Sequence, residues 1–375
     1  MKIGITCYPT YGGSGALATE LGMALAERGH EVHFITYRQP FRLPAFLPRV
    51  FYHEVDVGQY PLFEYPPYDL ALAARMHEVV LAHGLDLLHC HYAIPHATSA
   101  WIAREMLTAQ RPDIKVLTTL HGTDITIVGQ DPSFHAITKF SIEKSDGLTA
   151  VSNFLQAETI SAFGCTGCRI EVIPNFVDPT VYDRARYPAS HGAFGDGRPV
   201  FMHISNFRAV KRVVDVVRIF ARVTNQVPSI LVMVGDGPDR SLAEQEARRL
   251  GVAEQVLFLG KIESVAPLLA SADLFLLPTD RESFGLSALE ALASGTPVIG
   301  ANAGGLPEVV EDGVTGALLP VGDVEGMAAA ALRLLRDRQL WSRMSRAAAA
   351  DARARYALDD IVARYERFYT SSLTP

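Results

Sequence analysis

The chain has 375 residues, 49% of them hydrophobic and 20% charged, a globular composition with the length of two domains. Its 34 Lys and Arg against 41 Asp and Glu leave a net charge of −7, so no overall positive field holds nucleic acid or an anionic membrane, and an anionic ligand has to be met by a local site. No apolar run approaches the roughly 18 residues of a membrane helix, and four cysteines are too few for a disulfide scaffold, so the chain reads as cytoplasmic.

The opening, MKIGITCYPTYGG, has no signal-peptide apolar core and starts a strand at 2–6. Further short apolar runs predict strands at 31–37, 86–91, 114–119, 147–151 and 169–173. Helical stretches lie between them, among them 14–28 and 94–109. Residues 174–198 are rich in Pro, Gly, Asp and Arg without a period, and mark a linker and domain boundary. A second series follows, with strands at 199–205, 229–235, 255–259, 273–277, 297–300 and 317–319 and helices at 210–224, 238–250, 284–295 and 323–336. The tail from about 338 is helical and ends in Tyr356, Tyr365, Phe368 and Tyr369. This alternation predicts an α/β chain of two doubly wound parallel-sheet domains facing each other across a cleft, with ligands at the carboxyl ends of the strands.

Gly12-Gly13-Ser14-Gly15 follows the first strand and opens a helix, where glycines admit a ligand and free amides meet an anion. Gly13-x-Gly15-x-x-Ala18 also fits a dinucleotide fingerprint. That reading fails because Cys7 to Tyr11 intervene after the strand and the second strand ends at Thr36-Tyr37 rather than an acid. His89-Cys90-His91 has no carboxylate or further cysteine beside it and is not read as a metal site. In TLHGTDIT, His121 is placed to orient a sugar hydroxyl or stabilise charge, with Asp124 fixing its ring. Cys165 and Cys168 form a lone C-x-x-C without the second pair that zinc requires.

In HISNFRAVKR, Asn206, Arg208 and Lys211 crowd a strand-to-helix turn, and two cations beside a helix N-terminus suit a diphosphate. Gly235-Asp236-Gly237-Pro238 reads as a turn walling the same site. In TDRESFGLSALEALASGT, Ser283 is the expected N-cap, which puts the amides of Phe284, Gly285 and Leu286 in a first helical turn open to phosphate oxygens. Glu282 precedes that helix and Glu290 lies two turns into it, so one acid can face a sugar and the other a ribose diol. Gly304-Gly305 makes a further turn before a helix.

Glu282-x7-Glu290 around Ser283-Phe284-Gly285, the Gly12-Gly13 loop and Arg208 with Lys211 together resemble the retaining GT-B glycosyltransferases of family 4, over essentially the whole chain. CYPTYGGSGALATELG, PFRLP, EYPPYDL, HCHYAIPHA, TTLHGTDIT, ISNFRAVKR and ESFGLSALEA narrow the resemblance to the members that make GlcNAc-malate for bacillithiol biosynthesis. The resemblance implies transfer of GlcNAc from UDP-GlcNAc to the hydroxyl of L-malate with retained α configuration. It implies a Rossmann-like acceptor domain at 1–173, a Rossmann-like nucleotide-sugar domain at 174–357, and a C-terminal helix at about 358–375 packing back on the first. It carries donor binding onto Gly13, Asn206, Arg208, Lys211, Phe284, Gly285, Leu286 and Glu290, catalysis onto His121 and Glu282, and acceptor binding onto Ser14, Gly15, Tyr92 and Thr119. Asn206 stands where many relatives place Arg, and Arg208 is the expected substitute.

No carboxylate is placed as a covalent nucleophile, so same-face attack with the leaving diphosphate taking the proton is the implied route. No two aspartates are separated by a single residue, the D-x-D metal motif is absent, and neither metal nor other cofactor is expected. The alternatives are a family 4 transferase acting on inositol phosphate or a lipid, a UDP-sugar epimerase, and a non-catalytic UDP-sugar sensor. A homo-oligomer stays open.

Overall fold

The computed structural model describes residues 1–10, 12–58, 64–188, 194 and 197–374. It divides into two units, Met1–Pro174 with Asp359–Pro375, and Asn175–Leu358. The first unit runs β1 (Lys2–Thr6), α1 (Gly13–Glu27), β2 (Glu31–Thr36), β3 (Val50–Glu54), α2 (Tyr68–His83), β4 (Leu87–His91), α3 (Thr98–Leu107), β5 (Lys115–Leu120), α4 (Thr123–Thr126), α5 (Pro132–Lys144), β6 (Gly147–Ala150), α6 (Asn153–Phe163) and β7 (Ile170–Val172). Its seven strands are all parallel, in the order β3-β2-β1-β4-β5-β6-β7. The inner strands are nearly all buried because helices cover both faces. Local signals start the helices. Asp131 caps α5 before Pro132, and the Ser152 hydroxyl accepts the Leu155 amide at 3.0 Å to cap α6. After α6, Cys165 and Cys168 are joined in a disulfide.

Two sequence expectations change here. β3 is an additional strand: VFYHE lies at the sheet edge, is only half-buried, and therefore carries no continuous apolar run. The helix expected over 94–109 is a short turn at Ala93–Ala97 followed by α3, because Ile94 is extended and Pro95 has no N–H to continue a helical ladder.

The second unit runs β8 (Val200–Ile204), α7 (Val213–Thr224), β9 (Ile230–Val234), α8 (Arg240–Arg249), β10 (Val256–Gly260), α9 (Ala266–Ser271), β11 (Leu274–Leu277), α10 (Leu286–Ala293), β12 (Val298–Ala301), α11 (Leu306–Val309), β13 (Gly316–Leu319), α12 (Val324–Arg336) and α13 (Arg338–Tyr356). Its six parallel strands are ordered β10-β9-β8-β11-β12-β13. Val213, Val216, Val217 and Phe220 of α7 recur at helical spacing and bury one face against Phe201, Leu231 and Met233 of the sheet. Truncating the fully buried Phe220 to Ala would cost about 3–5 kcal/mol.

Residues 189–193, 195 and 196 of the expected linker lie outside the described residues. The described part of that stretch is tied down. Val177 bridges Ala357, donating to the Tyr356 carbonyl at 2.9 Å and accepting from the Leu358 amide at 2.9 Å, which ends α13. The tail continues as α14 (Leu358–Leu373), which belongs to the first unit from Asp359 on. Tyr365, Phe368 and Tyr369 bury their rings there, and Arg28 pairs with Asp359 and Glu366 at 3.0 Å each. Among the described residues no helix is long and apolar enough to cross a membrane.

Candidate active site

In the first sheet the strand order reverses between β1 and β4, the place where doubly wound folds open a crevice at the carboxyl ends of the strands. The loop after β1 enters α1 through Gly12, and no side chain caps the first helical turn. Its amides are therefore donors without helical partners. Gly15 has to be glycine, since a Cβ would stand 2.4 Å from the Tyr8 carbonyl oxygen. Ser14 Oγ accepts the Tyr92 hydroxyl at 2.9 Å. Tyr92, just past β4, holds φ at +90°, a left-handed conformation costing about 1–3 kcal/mol outside glycine. Its amide donates to the Thr119 carbonyl at 2.9 Å, which fixes that geometry. Burial raises the Tyr92 phenol well above its ordinary range, so it stays a neutral donor.

His121 directly follows β5, with Nε2 2.8 Å from His91 Nδ1. Burial pushes the His121 imidazole down to about 3 and holds His91 far below its ordinary value, so both rings are neutral at pH 7. His91 Nε2 is buried without a partner. An orphaned N–H costs more than an orphaned lone pair, so the His91 proton sits on Nδ1 and donates to His121. His121 then carries its own proton on Nδ1, which has no partner among the described residues. Asp124 does not fix this ring, contrary to the sequence expectation. Its buried carboxylate accepts the amides of Ala93 at 2.9 Å and Gly122 at 3.0 Å, and burial pushes it up to about 6.

Thr119 departs from its expected place among the acceptor contacts. It is fully buried, and its hydroxyl meets His89 Nε2 and Thr149 Oγ1 at 2.7 Å each. β-strand alternation turns its side chain into the packed layer, leaving its carbonyl to hold Tyr92. His89 completes that layer through the Tyr369 hydroxyl of α14, 2.8 Å from Nδ1.

The second sheet reverses between β8 and β11, and the loops after both strands carry the remaining candidates. Within β8, His203 donates from Nδ1 to the Leu276 carbonyl at 2.8 Å and meets Ser205 Oγ, just past the strand, through Nε2 at 2.7 Å. The Gly235–Pro238 turn backs this loop so closely that a Cβ on Gly235 would stand 1.8 Å from the Ser205 oxygen. Asn206 and Arg208 are exposed, and Arg208 makes no ion pair among the described residues. Lys211 Nζ donates to Glu282 Oε2 at 2.6 Å, both groups half-buried.

The helix after β11 begins later than expected. Gly285, at φ +100°, is its N-cap in place of Ser283, and α10 starts at Leu286. Only glycine enters the helix from this conformation easily, and a Cβ there would stand 2.8 Å from Leu306. No side chain caps the end, so its amides lack helical partners. The Phe284 ring is buried edge-on against Tyr356 at 5.7 Å, so only its backbone can meet a ligand. The Glu282 carbonyl accepts the Gly305 amide at 2.7 Å, and a Cβ on Gly304 would stand 2.0 Å from that oxygen, so the Gly304-Gly305 turn buttresses Glu282. Glu290, in the second turn of α10, accepts the Tyr182 hydroxyl at 2.6 Å.

Two family models match, "Glycosyltransferase Family 4" over residues 11–181 and "Glycosyl transferases group 1" over residues 186–351. The chain is 48% identical over 98% of its length, and 96% of the relative's, to N-acetyl-alpha-D-glucosaminyl L-malate synthase of Bacillus anthracis. The chain belongs to glycosyltransferase family 4. A D-inositol 3-phosphate glycosyltransferase of Nocardia farcinica is 28% identical over 91% of this glycosyltransferase and 81% of its own length. The Anabaena HepE protein in complex with UDP-glucose superposes with a TM-score of 0.81 at 22% identity, covering 99% of this chain and 100% of that one, a likeness of fold. The glycosyltransferase thus has the two Rossmann-like domains of the GT-B fold. Sequence reasoning missed Tyr182, which sits in the aperiodic stretch, and the pairing of His91 with His121. The i, i+2 histidines of β4 were the one available signal for the latter.

Proposed function

We propose that this glycosyltransferase moves GlcNAc from UDP-GlcNAc to the hydroxyl of L-malate with retained α configuration, in the cytoplasm and without a membrane partner. The near-full-length similarity to the Bacillus anthracis synthase carries this reading. Residues 1–173 take the acceptor role and 174–357 the nucleotide-sugar role, with the helix from about 358 serving the first. Lys211, Arg208, Asn206, Gly13 and the amides of Phe284, Gly285 and Leu286 bind the diphosphate. Glu290, oriented by Tyr182, accepts the ribose hydroxyls, and Glu282 with His121 addresses the sugar. Ser14, Gly15 and Tyr92 meet malate, with Thr119 positioning Tyr92 from behind.

The chemistry follows from charge and position. Lys211, Arg208 and helix amides stabilise negative charge growing on the leaving diphosphate, which takes the proton of the attacking malate hydroxyl. Neutral His121 donates its Nδ1–H to a sugar oxygen. No metal is assigned to the transfer, and turnover is expected to survive EDTA. The test is mass-spectrometric detection of product from purified protein, UDP-GlcNAc and a panel of malate, lactate and inositol phosphate. GlcNAc-malate as the dominant product supports the reading. Preferred glycosylation of inositol phosphate, or UDP release without any glycoside, overturns it.

A further inference from the structure

We propose that His33, His53 and His83 form a binding site for a divalent transition-metal ion of the zinc class, separate from the residues assigned to sugar transfer. His33 lies on β2 and His53 on the edge strand β3. The parallel register pairs His33 with Phe51 and Ile35 with His53, so the two histidines are diagonal neighbours on one face. His83 is the last residue of α2 and meets the other two rings at centroid distances of 4.5 and 5.0 Å. One ring nitrogen from each histidine lies within 4.8 Å of the others. Tetrahedral zinc with bonds of about 2.0–2.1 Å sets ligand nitrogens about 3.3 Å apart, a small adjustment from this arrangement.

An independent feature points the same way. Glu31 Oε1 lies 3.1 Å from His33 Nε2. An ionised carboxylate only accepts, so His33 carries its proton on Nε2 and turns the Nδ1 lone pair towards the cluster. A carboxylate behind a histidine is the usual outer support of a metal-ligating imidazole. Lys2 Nζ anchors this support, 3.3 Å from Glu31 and 2.9 Å from the His83 carbonyl. His53 Nε2, 2.8 Å from His33 Nδ1, donates to that lone pair. Binding an ion requires that His53 shift its proton to Nδ1 as the rings make that adjustment. Burial favours neutral rings, lowering His33 and pushing His53 down to about 4. A hydrogen-bonded His33–His53 pair alone explains neither the third ring nor the aligned carboxylate.

Three imidazoles select zinc, cobalt, nickel or copper over magnesium or calcium and leave a fourth position for water. The ion would tie the end of α2 to the sheet edge. The test uses tag-free full-length protein stripped with EDTA, then titrated with Zn²⁺ and, for its visible absorption, Co²⁺. One ion per chain is expected, with Mg²⁺ unable to compete. Glu31→Gln should weaken binding by about 10–100-fold, and His53→Gln or His83→Gln by at least as much. His33 is fully buried and is left intact, and circular dichroism should match the parent in each variant. Zn²⁺ bound no more tightly by the parent than by the His53→Gln/His83→Gln double variant would overturn the proposal. Binding is read without turnover, so this result is separate from the test of sugar transfer.

Discussion

The two candidate regions use opposite electrostatics. In the first unit's region, apart from the Asp124 carboxylate, the hydrogen-bonded side chains are neutral and partly or fully buried. His91 donates to His121, Tyr92 donates to Ser14, and His89 bridges Thr119 and Tyr369. In the second unit they are charged and mutually paired, Lys211 with Glu282 and Arg212 with Asp280 and Asp215. A neutral network preorganises donors and acceptors for hydroxyl and carboxylate recognition but resists titration. A charged network can re-pair when a diphosphate arrives. Both are set at the reversal point of their own sheet, so the same topology serves two kinds of recognition.

Acid should separate the regions most strongly. Burial lowers six histidines of the first unit, His33, His53, His89, His91, His96 and His121, to about 3 for His89 and His121 and about 4 for His53 and His96. The unfolded chain protonates first below about 6.5, so their contribution is present above that pH and is lost as pH falls towards 4. Asp124, raised to about 6, binds its proton earlier in the folded state and offsets one histidine between about 6 and 4. The lowered histidines outnumber Asp124, so the first unit loses stability steeply as pH falls through that window. The second unit has one such histidine among its described residues, His203 at about 4, so its stability falls less steeply. Trp101 and Trp341 lie one in each unit, so single-tryptophan variants can report urea midpoints separately. Equal slopes between pH 6 and 5 would break the comparison.

Removing one charge from the second network comes next. Lys211→Ala should weaken UDP-GlcNAc binding by about 1.5–3 kcal/mol, the range of a charged hydrogen bond. Unchanged affinity in calorimetry would remove Lys211 from the diphosphate site. The two acids of that network should then part company. Glu290→Gln is expected to weaken free UDP about tenfold. Glu282→Gln should leave UDP binding intact, since it releases Lys211, while lowering kcat with UDP-GlcNAc. Matching behaviour of both variants towards UDP would show that their roles are not divided.

The smallest effects belong to the neutral network. Ser14→Ala and Tyr92→Phe each remove one uncharged hydrogen bond, about 0.5–1.5 kcal/mol. They should raise the malate KM a few-fold without raising that of UDP-GlcNAc. L-malate should be used far better than lactate, because an acceptor lacking a carboxylate leaves donors unpaired. Comparable kcat/KM for malate and lactate would contradict the acceptor assignment to this network.

The strand–helix alternation, the glycine loop before α1 and the placing of Lys211 and Glu282 in the loops after β8 and β11 were readable from the residues alone. Periodicity and turn chemistry are local properties, and the strand ends of parallel sheets are where such residues collect. The edge strand β3 was not readable, because a half-buried strand lacks a continuous apolar run. Nor was the start of α10, where the backbone conformation of Gly285 outweighs the capping preference of Ser283. Tertiary packing alone decided that Thr119 faces inward, that His91 rather than Asp124 holds His121, and that Tyr182 reaches Glu290 across 108 residues of sequence. These are hydrogen bonds between groups far apart in the chain, and burial chooses among partners that the sequence leaves equally available.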